Sequence, residues 1–565
     1  MLKKKGFTLI ELLSEIVILA IIALIAVPTI VNIITKVRIS TAKANFHGYI
    51  DAVENASSLL NINTGKKPTT VDELEVQAKN IDNINLISLT FNEDGFVKKA
   101  KAEINGLYCT YKETSDVKCT TNMYAYIKNI YNLTDYDKVT IQNIYFVDEK
   151  RNGTPIDISV DSNNTVLLYL EENGNVVNNK NMYNMYIYSE SIISAPENSD
   201  NFFRNLINGV TIDFNDMFDT SNVRRMEGVF RDCKSLKELD VSSFNTSKVR
   251  SMYVMFQGCS SLEELDVSNF DTSSIGSGYY DFGGMFVGMT SLKTLDLSNF
   301  DTSNITNMAS LFWDCKSLES VNLSSFDTSK VTDMSGMFFR CESLKELDLS
   351  NFDTSSVTDM NQMFFMTYTL SELDLSNFNT SKVTNMSYMF ASMGLNAQNV
   401  SLNLGKNFDT SNVTNMSLMF ANLAQNSQKL ELNLGNSFDT SKVEDMTDMF
   451  SYIANTSNSF VLDLGDKFVF NENVSTTNFA VWNGVTKLII PATVTKIPDG
   501  TFQKMFKLKE IVFEHGESDT ITLPTAGETT GAFYHSSNIN TTVTTVNDVV
   551  KNYDWLSDNR TVTFK

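Results

Sequence analysis

The stretch SLKELDLSNFDTSSVTDMNQMFF, residues 343–365, is one unit of a pattern that returns along the chain. Residues 343–350 alternate apolar and polar side chains, which is the pattern of a strand with one buried face. Val357, Met360 and Phe364 then follow at helical spacing, and Asp359 stands where the N-cap of a helix belongs. The unit is therefore predicted to be a strand, a turn, a short helix and a second turn.

The phrase Phe-Asp/Asn-Thr-Ser marks the same point in every unit. It begins 26 or 30 residues apart, at Phe218, Phe244, Phe270, Phe300, Phe326, Phe352, Phe378, Phe408 and Phe438. A fixed period of this length indicates a solenoid, in which each unit buries its apolar face only against its neighbours.

These repeats resemble the BspA-like leucine-rich repeats of bacterial surface proteins, and the resemblance covers residues 210–470. Residues 485–513 look like the second repeat form of the same group. The resemblance implies a leucine-rich-repeat solenoid over residues 201–480, and a variant repeat with a C-terminal cap over residues 481–565.

A different signal stands at the N-terminus, where KKKGFTLIE occupies residues 3–11 and an apolar run extends from Phe7 to Ile34. A helix of this run is about 42 Å long, more than the roughly 30 Å of bilayer hydrocarbon. Lysines before the run and a large polar mass after it predict a single membrane pass with the N-terminus inside. The carboxylate of Glu11 needs a partner or a function there, because burying it in lipid costs about 3 kcal/mol.

Residues 3–11 resemble the processing site of type IV pilins and pseudopilins. The resemblance implies cleavage between Gly6 and Phe7 by a prepilin peptidase, methylation of Phe7, and a role for Glu11 in assembly with other pilin subunits. Pro28 falls where the family often has a helix-kinking proline, whereas Glu15 departs from the family pattern.

The predicted fold class is an α+β pilin-like head on a long N-terminal α-helix, the transmembrane or fibre stem, followed by a leucine-rich-repeat solenoid of short strands and short helices. The predicted parts of the N-terminal half are a leader over 1–6, a helix over 7–56, a β head over 57–135 and a further β module over 136–200. Cys109 and Cys119 lie on the two arms of a predicted hairpin, so a disulfide is expected there, with two free thiols as the alternative.

Two columns of repeated residues suggest sites, and each has a simpler explanation. Cys233, Cys259, Cys315 and Cys341 share one phase with Met289, so this column is predicted to be core and not a metal site. Carboxylates on the outward strand face are the predicted ligand contacts, namely Glu264, Asp266, Glu346, Asp348, Glu372 and Asp374. Like charges so close together would attract cations or basic partners, unless neighbouring polar side chains relieve them.

No catalytic arrangement, metal site or cofactor motif stands out in the sequence, and the chain is predicted not to be an enzyme. The net charge of −22 argues against nucleic acid as a partner. The expected function is a minor or tip pilin-like subunit of a bacterial membrane and pilus surface, displaying the repeats to an extracellular protein or glycan. Two alternatives are a pseudopilin of a secretion or DNA-uptake machine and an uncleaved membrane-anchored surface receptor.

Overall fold

The structure is a computed structural model of the 565-residue chain. It describes every residue outside this set: 1–8, 71–72, 75–83, 106, 114, 121–123, 131–136, 163, 277, 279–281, 473, 527–529, 535–538 and 559. Gly6 and Phe7 lie outside the described residues. Glu11 and Pro28 lie within the first helix, in a part where the backbone alone is described.

Two α-helices occur in the described part of the chain, α1 (Leu9–Thr64) and α2 (Asp548–Lys551), together with a short 3-10 helix over Lys138–Thr140. The first helix ends eight residues beyond the predicted boundary at residue 56. Its second half buries Phe46, Ile50 and Val53 against a small sheet, because these side chains share one face of the helix.

That small sheet is antiparallel, with the order β1-β2-β3-β4. Its strands are β1 (Ile84–Phe91), β2 (Val97–Ile104), β3 (Leu107–Lys112) and β4 (Ser115–Thr120). Val97, Ala102 and Ile104 face α1 and form a core with it that is separate from the core of the repeats. A disulfide joins Cys109 on β3 to Cys119 on β4, which lie directly opposite each other.

A second group of strands leads into the repeats. Its members are β5 (Tyr124–Tyr126), β6 (Ile141–Val147), β7 (Ile156–Asp157), β8 (Leu167–Val177), β9 (Lys180–Tyr188), β10 (Ile192–Ser194), β11 (Thr211–Asp213) and β12 (Phe218–Asp219). They form two sheets, with the orders β12-β10-β5 and β11-β6-β9-β8-β7. Since β11, β6 and β9 run parallel, this group continues the stacking direction of the repeats and covers their N-terminal end.

The repeats themselves carry short parallel strands on one side of the solenoid. These strands are β13 (Thr294–Asp296), β14 (Ser320–Asn322), β15 (Glu372–Asp374), β16 (Asn399–Asn403), β17 (Lys429–Asn433) and β18 (Phe460–Asp463). The C-terminal region adds β19 (Val485–Ile490), β20 (Glu510–Phe513), β21 (Ile539–Thr544) and β22 (Arg560–Phe564), each parallel to the one before.

The side opposite the strands is built from stacked turns and not from helices. The N–H groups of Gly336 and Phe338 donate to carbonyls of the next repeat, at Asn361 and Met363, over 2.8 and 2.9 Å. An α-helix would need those N–H groups for carbonyls four residues earlier in the same repeat. The backbone also turns to positive φ twice per unit, for example at Gly336 (φ 59°) and Arg340 (φ 57°), which interrupts any helix.

Two ladders run the length of the solenoid. Phe338 stacks between Phe312 and Phe364, with ring centroids 5.5 and 5.8 Å apart. The buried Thr328 hydroxyl accepts from the N–H of Asp353 at 2.8 Å and donates to the carbonyl of the same residue at 2.9 Å. Because the same threonine recurs in each unit, the phrase that marks the period also joins each repeat to the next.

The predicted fold class is wrong. The described residues form mostly strands and turns, and the repeats contain turns where short helices were expected. Among the helices that the described residues form, none is both long and apolar enough to cross a membrane. The described side chains of α1 instead alternate between exposed positions such as Lys36 and Asp51 and buried positions under the small sheet, which is the pattern of an amphipathic cover.

Asp359 and its equivalents are not N-caps either. They form isolated parallel bridges between successive repeats, as in Asp333 to Asp359 to Asn385. The Asp359 Oδ1 atom accepts from the N–H of Asn361 at 2.9 Å, which closes an Asx turn. Asp and Asn are favoured at this position because they hold a turn, a use that resembles an N-cap in the sequence alone.

Three lysines join the small sheet to the second group of strands, which leads into the repeats. Lys99 Nζ donates to Asn215 Oδ1 at 2.7 Å, and Lys101 Nζ donates to the carbonyls of Asn215 and Asp216 at 3.0 and 2.7 Å. Lys112 pairs with Asp148. Burial at this contact lowers the pKa of Lys101 to about 8. The two cores are therefore connected mainly through polar contacts.

Candidate functional site

The strand face is the outward side of the repeat strands, at residues 237–240, 263–266, 293–296, 319–322, 345–348 and 371–374. Three of these segments contain the strands β13, β14 and β15, whereas the other three, including the predicted strand at 343–350, keep the same alternation without forming a strand. In the five segments with a central leucine, that leucine is more buried than the side chains that flank it. The turn side carries most of the buried Met and Phe columns, and the strand face carries a row of exposed charged side chains.

All six predicted ligand residues are exposed on the strand face. Glu264 and Asp266 line a groove of about 780 Å³, and Glu372 lines a second groove of about 620 Å³ further along the array. Asp374 accepts from Asn403 Nδ2 of the next repeat at 2.9 Å. The structure therefore divides the predicted residues between two grooves and the strand ends, rather than gathering them into one pocket.

The first groove also contains residues that the sequence analysis did not select. It is lined by Lys237, Glu238, Leu239, Asp240, Ser261, Glu263, Glu264, Leu265, Asp266 and Ser291. Lys237, Glu263, Lys293, Glu319 and Lys345 occupy one phase in five successive units, so charges of opposite sign alternate along the array. This alternation is visible in the sequence once the units are aligned by their strands.

The alternating charges pair between repeats. Lys293 Nζ lies 2.7 Å from Glu263 Oε2, and Lys345 Nζ lies 2.6 Å from Glu319 Oε2. The hydrogen bond from Lys293 lowers the pKa of Glu263, and the one from Lys345 lowers the pKa of Glu319. These exposed pairs add little to stability, but they set a fixed pattern of charge on the surface.

The aspartate column is oriented by the backbone that follows it. Asp266 Oδ1 accepts from the N–H of Ser268 at 2.9 Å, and Asp348 Oδ1 accepts from the N–H of Ser350 at the same distance. Hydrogen bonds to Ser268 lower the pKa of Asp266, and those to Ser350 lower the pKa of Asp348, so both carboxylates stay ionised. Asn322 and Asn403 make the same bond in other units, at Ser324 and Gly405. The column therefore has a structural role in addition to its exposed charge.

The cysteine column lies in the core of the repeats. No group of three or more His, Cys, Asp or Glu side chains in the described ranges is arranged to hold a metal ion. The four cysteines of the column are buried, and Cys315 Sγ donates to the carbonyl of Phe286 at 3.1 Å. Burial raises the pKa of Cys233 and of Cys315 to about 12, which keeps these thiols protonated and unreactive.

Comparison with known proteins places the repeats in a family. No curated protein matches the chain. Among solved structures, the chain is similar to a leucine rich cell surface protein from Faecalibacterium prausnitzii A2-165, at 13% identity, over 74% of this chain and 96% of that chain. The TM-score of that comparison is 0.25, which is too low to carry an argument.

Family matches cover the repeats almost without a gap. Residues 472–553 match the BspA type leucine rich repeat region, so the resemblance to BspA-like repeats is confirmed there. The family described as "Mycoplasma protein of unknown function, DUF285" matches residues 197–282, 280–404 and 391–486, which together are just over half of the chain. Neither match extends to residues 1–196, so the resemblance of residues 3–11 to prepilins stays a prediction. The chain thus belongs to the family described as Mycoplasma protein of unknown function, DUF285, and ends in a BspA-type leucine-rich repeat region.

Proposed function

We propose that the chain is a bacterial cell-surface recognition protein, and that its strand face binds a basic segment of an extracellular protein. The observation that carries the proposal is the exposed row of carboxylates along the strand face, which the Asx turns hold in one orientation. The extended surface of a solenoid suits an extended partner, and a net charge of −22 favours a positively charged one.

The two grooves add apolar contacts and further charged side chains to this row of carboxylates. The first groove combines the carboxylates of Glu264 and Asp266 with apolar contact at Leu239 and Leu265. The second groove adds Lys429 and Glu431 beside Glu372. A basic peptide could therefore bury apolar side-chain stems in the first groove while its charged ends pair with the carboxylates.

The test is a set of charge-neutral substitutions that the repeat already tolerates. Asp266, Asp348 and Asp374 change to Asn, the residue that keeps the same Asx turn in other units, while Glu264, Glu346 and Glu372 change to Gln. We expect the affinity of this variant for immobilised extracellular-matrix proteins to be at least about tenfold lower than that of the unsubstituted chain. Binding of the unsubstituted chain should weaken as salt is added. Surface plasmon resonance of the full chain measures both effects.

The three strand-face Glu→Gln changes are also made alone, and their matched control neutralises three exposed carboxylates on other faces, by Glu444→Gln, Glu472→Gln and Glu517→Gln. This variant changes the net charge in the same direction without touching the strand face. Equal loss of binding in both variants would show a general charge effect and contradict the proposal. Unchanged binding after the six strand-face substitutions would contradict it as well.

The route to the surface is a separate proposal, and its support is residues 3–11 alone. We infer that a prepilin peptidase cuts between Gly6 and Phe7, and that Glu11 then pairs with the new amine of a neighbouring subunit in a pilus as a minor or tip component. Mass spectrometry of the native protein tests this inference. A chain beginning at methylated Phe7 in sheared fibres supports it, whereas a chain beginning at Met1 and found only in membranes favours an uncleaved anchored receptor.

A further inference from the structure

A second surface lies at the N-terminal end of the repeats, on the outer side of the sheet formed by β11, β6, β9 and β8. The inner side of this sheet belongs to the main core, where Ile144, Phe146, Met185 and Ile187 are at most 1% exposed. Alternate residues on the same strands therefore point outward. They carry amides and tyrosines, and the proposed strand-face function makes no use of them.

Five amide side chains form one hydrogen-bonded cluster there, the amide cluster: Gln142, Asn143, Asn173, Asn175 and Asn184. Gln142 Oε1 accepts from Asn173 Nδ2 at 2.8 Å and from Asn175 Nδ2 at 2.7 Å. Asn184 Oδ1 accepts from Asn143 Nδ2 at 2.8 Å. The strands hold Asn143 directly opposite Asn184, so the backbone register builds this cluster from sequence-distant residues.

Two tyrosines continue the surface from the amide cluster. Asn184 Nδ2 donates to the Tyr186 hydroxyl at 3.4 Å, and Tyr186 stacks on Tyr145 with ring centroids 5.3 Å apart. Both rings are half-buried. The exposed Arg151 guanidinium lies 4.0 Å from the Tyr186 ring centroid and forms one rim of the surface.

The chemistry of the cluster selects one class of ligand. The five amides and the two tyrosines have no formal charge, and the nearby Arg151 is positive, although the chain as a whole carries −22. Amide and phenol groups offer few charges to a phosphate backbone or to a basic peptide. Sugar rings carry neutral hydroxyl donors and acceptors beside weakly apolar C–H faces, and amides and tyrosines supply the matching groups.

One amide of the cluster also has hydrogen-bond donors that its described neighbours do not use. Gln142 Oε1 is occupied twice, but the Gln142 Nε2 group makes no hydrogen bond with the residues that the structure describes. Its bound neighbours hold this amide in place, so two N–H donors are oriented in advance. A ligand that uses them loses little conformational entropy of the protein.

We propose that the amide cluster, with Tyr145 and Tyr186, is a binding site for a neutral carbohydrate chain. The site is separate from the strand face and would let the protein bind a glycan and a protein partner at once.

The test uses the full chain on a printed array of neutral, sialylated and sulfated oligosaccharides, followed by titration of the strongest neutral ligand. The main variant is Gln142→Glu, which keeps the Oε1 acceptor for Asn173 and Asn175 but replaces the donor Nε2 by a charged oxygen. We expect an affinity at least about tenfold lower, with an unchanged thermal midpoint. The matched control is Gln428→Glu, on the exposed surface of the repeats. Its affinity for the same oligosaccharide should stay within about twofold of that of the unsubstituted chain.

A second variant, Tyr145→Leu, keeps an apolar side chain beside Tyr186 but removes the Tyr145 ring and its hydroxyl. It should also weaken binding while the thermal midpoint shows that the sheet is intact. The proposal is overturned if no neutral oligosaccharide binds, if sulfated or sialylated ones bind more strongly than neutral ones, or if Gln142→Glu binds as well as the control. The six strand-face substitutions should leave glycan binding unchanged, so this test stands apart from that of the proposed function.

Discussion

At the scale of single residues, short polar side chains hold the repeats together by closing turns and joining neighbours. Three sites per unit do this, as Asp348, Asp353 and Asp359 show by accepting from N–H groups two residues later. The threonine of the repeat phrase is the strongest case, because it is buried and bonds to the next unit on both its donor and its acceptor side.

The first prediction concerns that threonine. Thr328→Val keeps the shape but leaves the part-buried N–H and carbonyl of Asp353 without this partner, which should lower the free energy of unfolding by about 1–3 kcal/mol. Thr332→Val is the control, since its exposed hydroxyl makes one bond to the Thr306 carbonyl at 3.1 Å. Urea denaturation of the two variants should separate them clearly; equal midpoints would show that the ladder adds no stability.

The second prediction concerns the buried thiols and pH. Burial raises the folded-state pKa of Cys233 and Cys315 from 9.0 to about 12. The stability that comes from keeping these thiols neutral is present below pH 9 and is lost as the pH rises towards 12, because the unfolded state then releases protons that the folded state retains. A Cys233→Ala/Cys315→Ala variant should therefore lose stability less steeply over this pH range.

A thiol reagent gives an independent check of the same residues. At pH 8 none of the four column cysteines should react in the folded protein, and all four should react in denaturant. Rapid labelling of the native chain would contradict their assignment to the core.

At the scale of elements, each repeat is a coil whose turn side depends on residues with positive φ. Gly336 combines φ of 59° with little space, because an added Cβ would lie 2.7 Å from atoms of the Trp313 ring. Gln362 and Tyr388 adopt similar φ in the next two units without being glycine. The backbone conformation therefore does not require glycine at this phase, and at Gly336 the close approach of the Trp313 ring is a second reason for it.

The third prediction follows from this difference. Gly336→Ala should destabilise the chain by about 1–2 kcal/mol from its backbone conformation alone, and further through the contact with Trp313. Gly465→Ala is the matched control in the same repeat array, with φ of 79° and its nearest atom, the Gly435 carbonyl oxygen, 3.9 Å from the added Cβ. Trp fluorescence during denaturation measures both, and a smaller effect at Gly336 than at Gly465 would argue against close packing of the ring.

At the scale of the whole molecule, the open ends of the solenoid need covers, since each unit buries its core only against a neighbour. The strand group from β5 to β12 covers the first end. The last end is covered by β22 and the segment before it, where Asp558 Oδ2 accepts from the Tyr553 hydroxyl at 2.7 Å and from the N–H of Phe533 at 3.1 Å. Arg560 is fully buried nearby and donates to the Phe533 carbonyl.

The fourth prediction tests this C-terminal cover. Burial lowers the pKa of Arg560 to about 10, and the nearby Asp558 charge opposes that effect. Asp558→Ala should therefore cost about 3–5 kcal/mol, because it leaves a buried guanidinium without a compensating charge. Denaturation midpoints should show part of this loss restored in Asp558→Ala/Arg560→Leu. Asp554→Ala, which removes an exposed carboxylate, should lower the free energy of unfolding far less. An equal loss in the two variants would show that the chain segment around residues 554–558 matters, and not the buried charges.

The sequence by itself determined the period of the repeats, the inward and outward sides of their strands, and the core columns of Phe, Met and Cys. These features depend on local alternation of apolar and polar residues, which one chain displays directly. The sequence also indicated the exposed carboxylates. The ion pair between Lys293 and Glu263, however, could be recognised only once the structure showed how neighbouring repeats stack.

Only the tertiary structure decided that turns replace the predicted helices, and that the amide cluster exists. The physical reason is the same in both cases. Gly336 gives its N–H to a carbonyl in the next repeat, and Asn143 meets Asn184 across parallel strands, so the partners are separated by 25 and 41 residues. A helical stripe in the sequence records which side chains are buried, whereas the choice between helix and turn depends on where the backbone hydrogen bonds go.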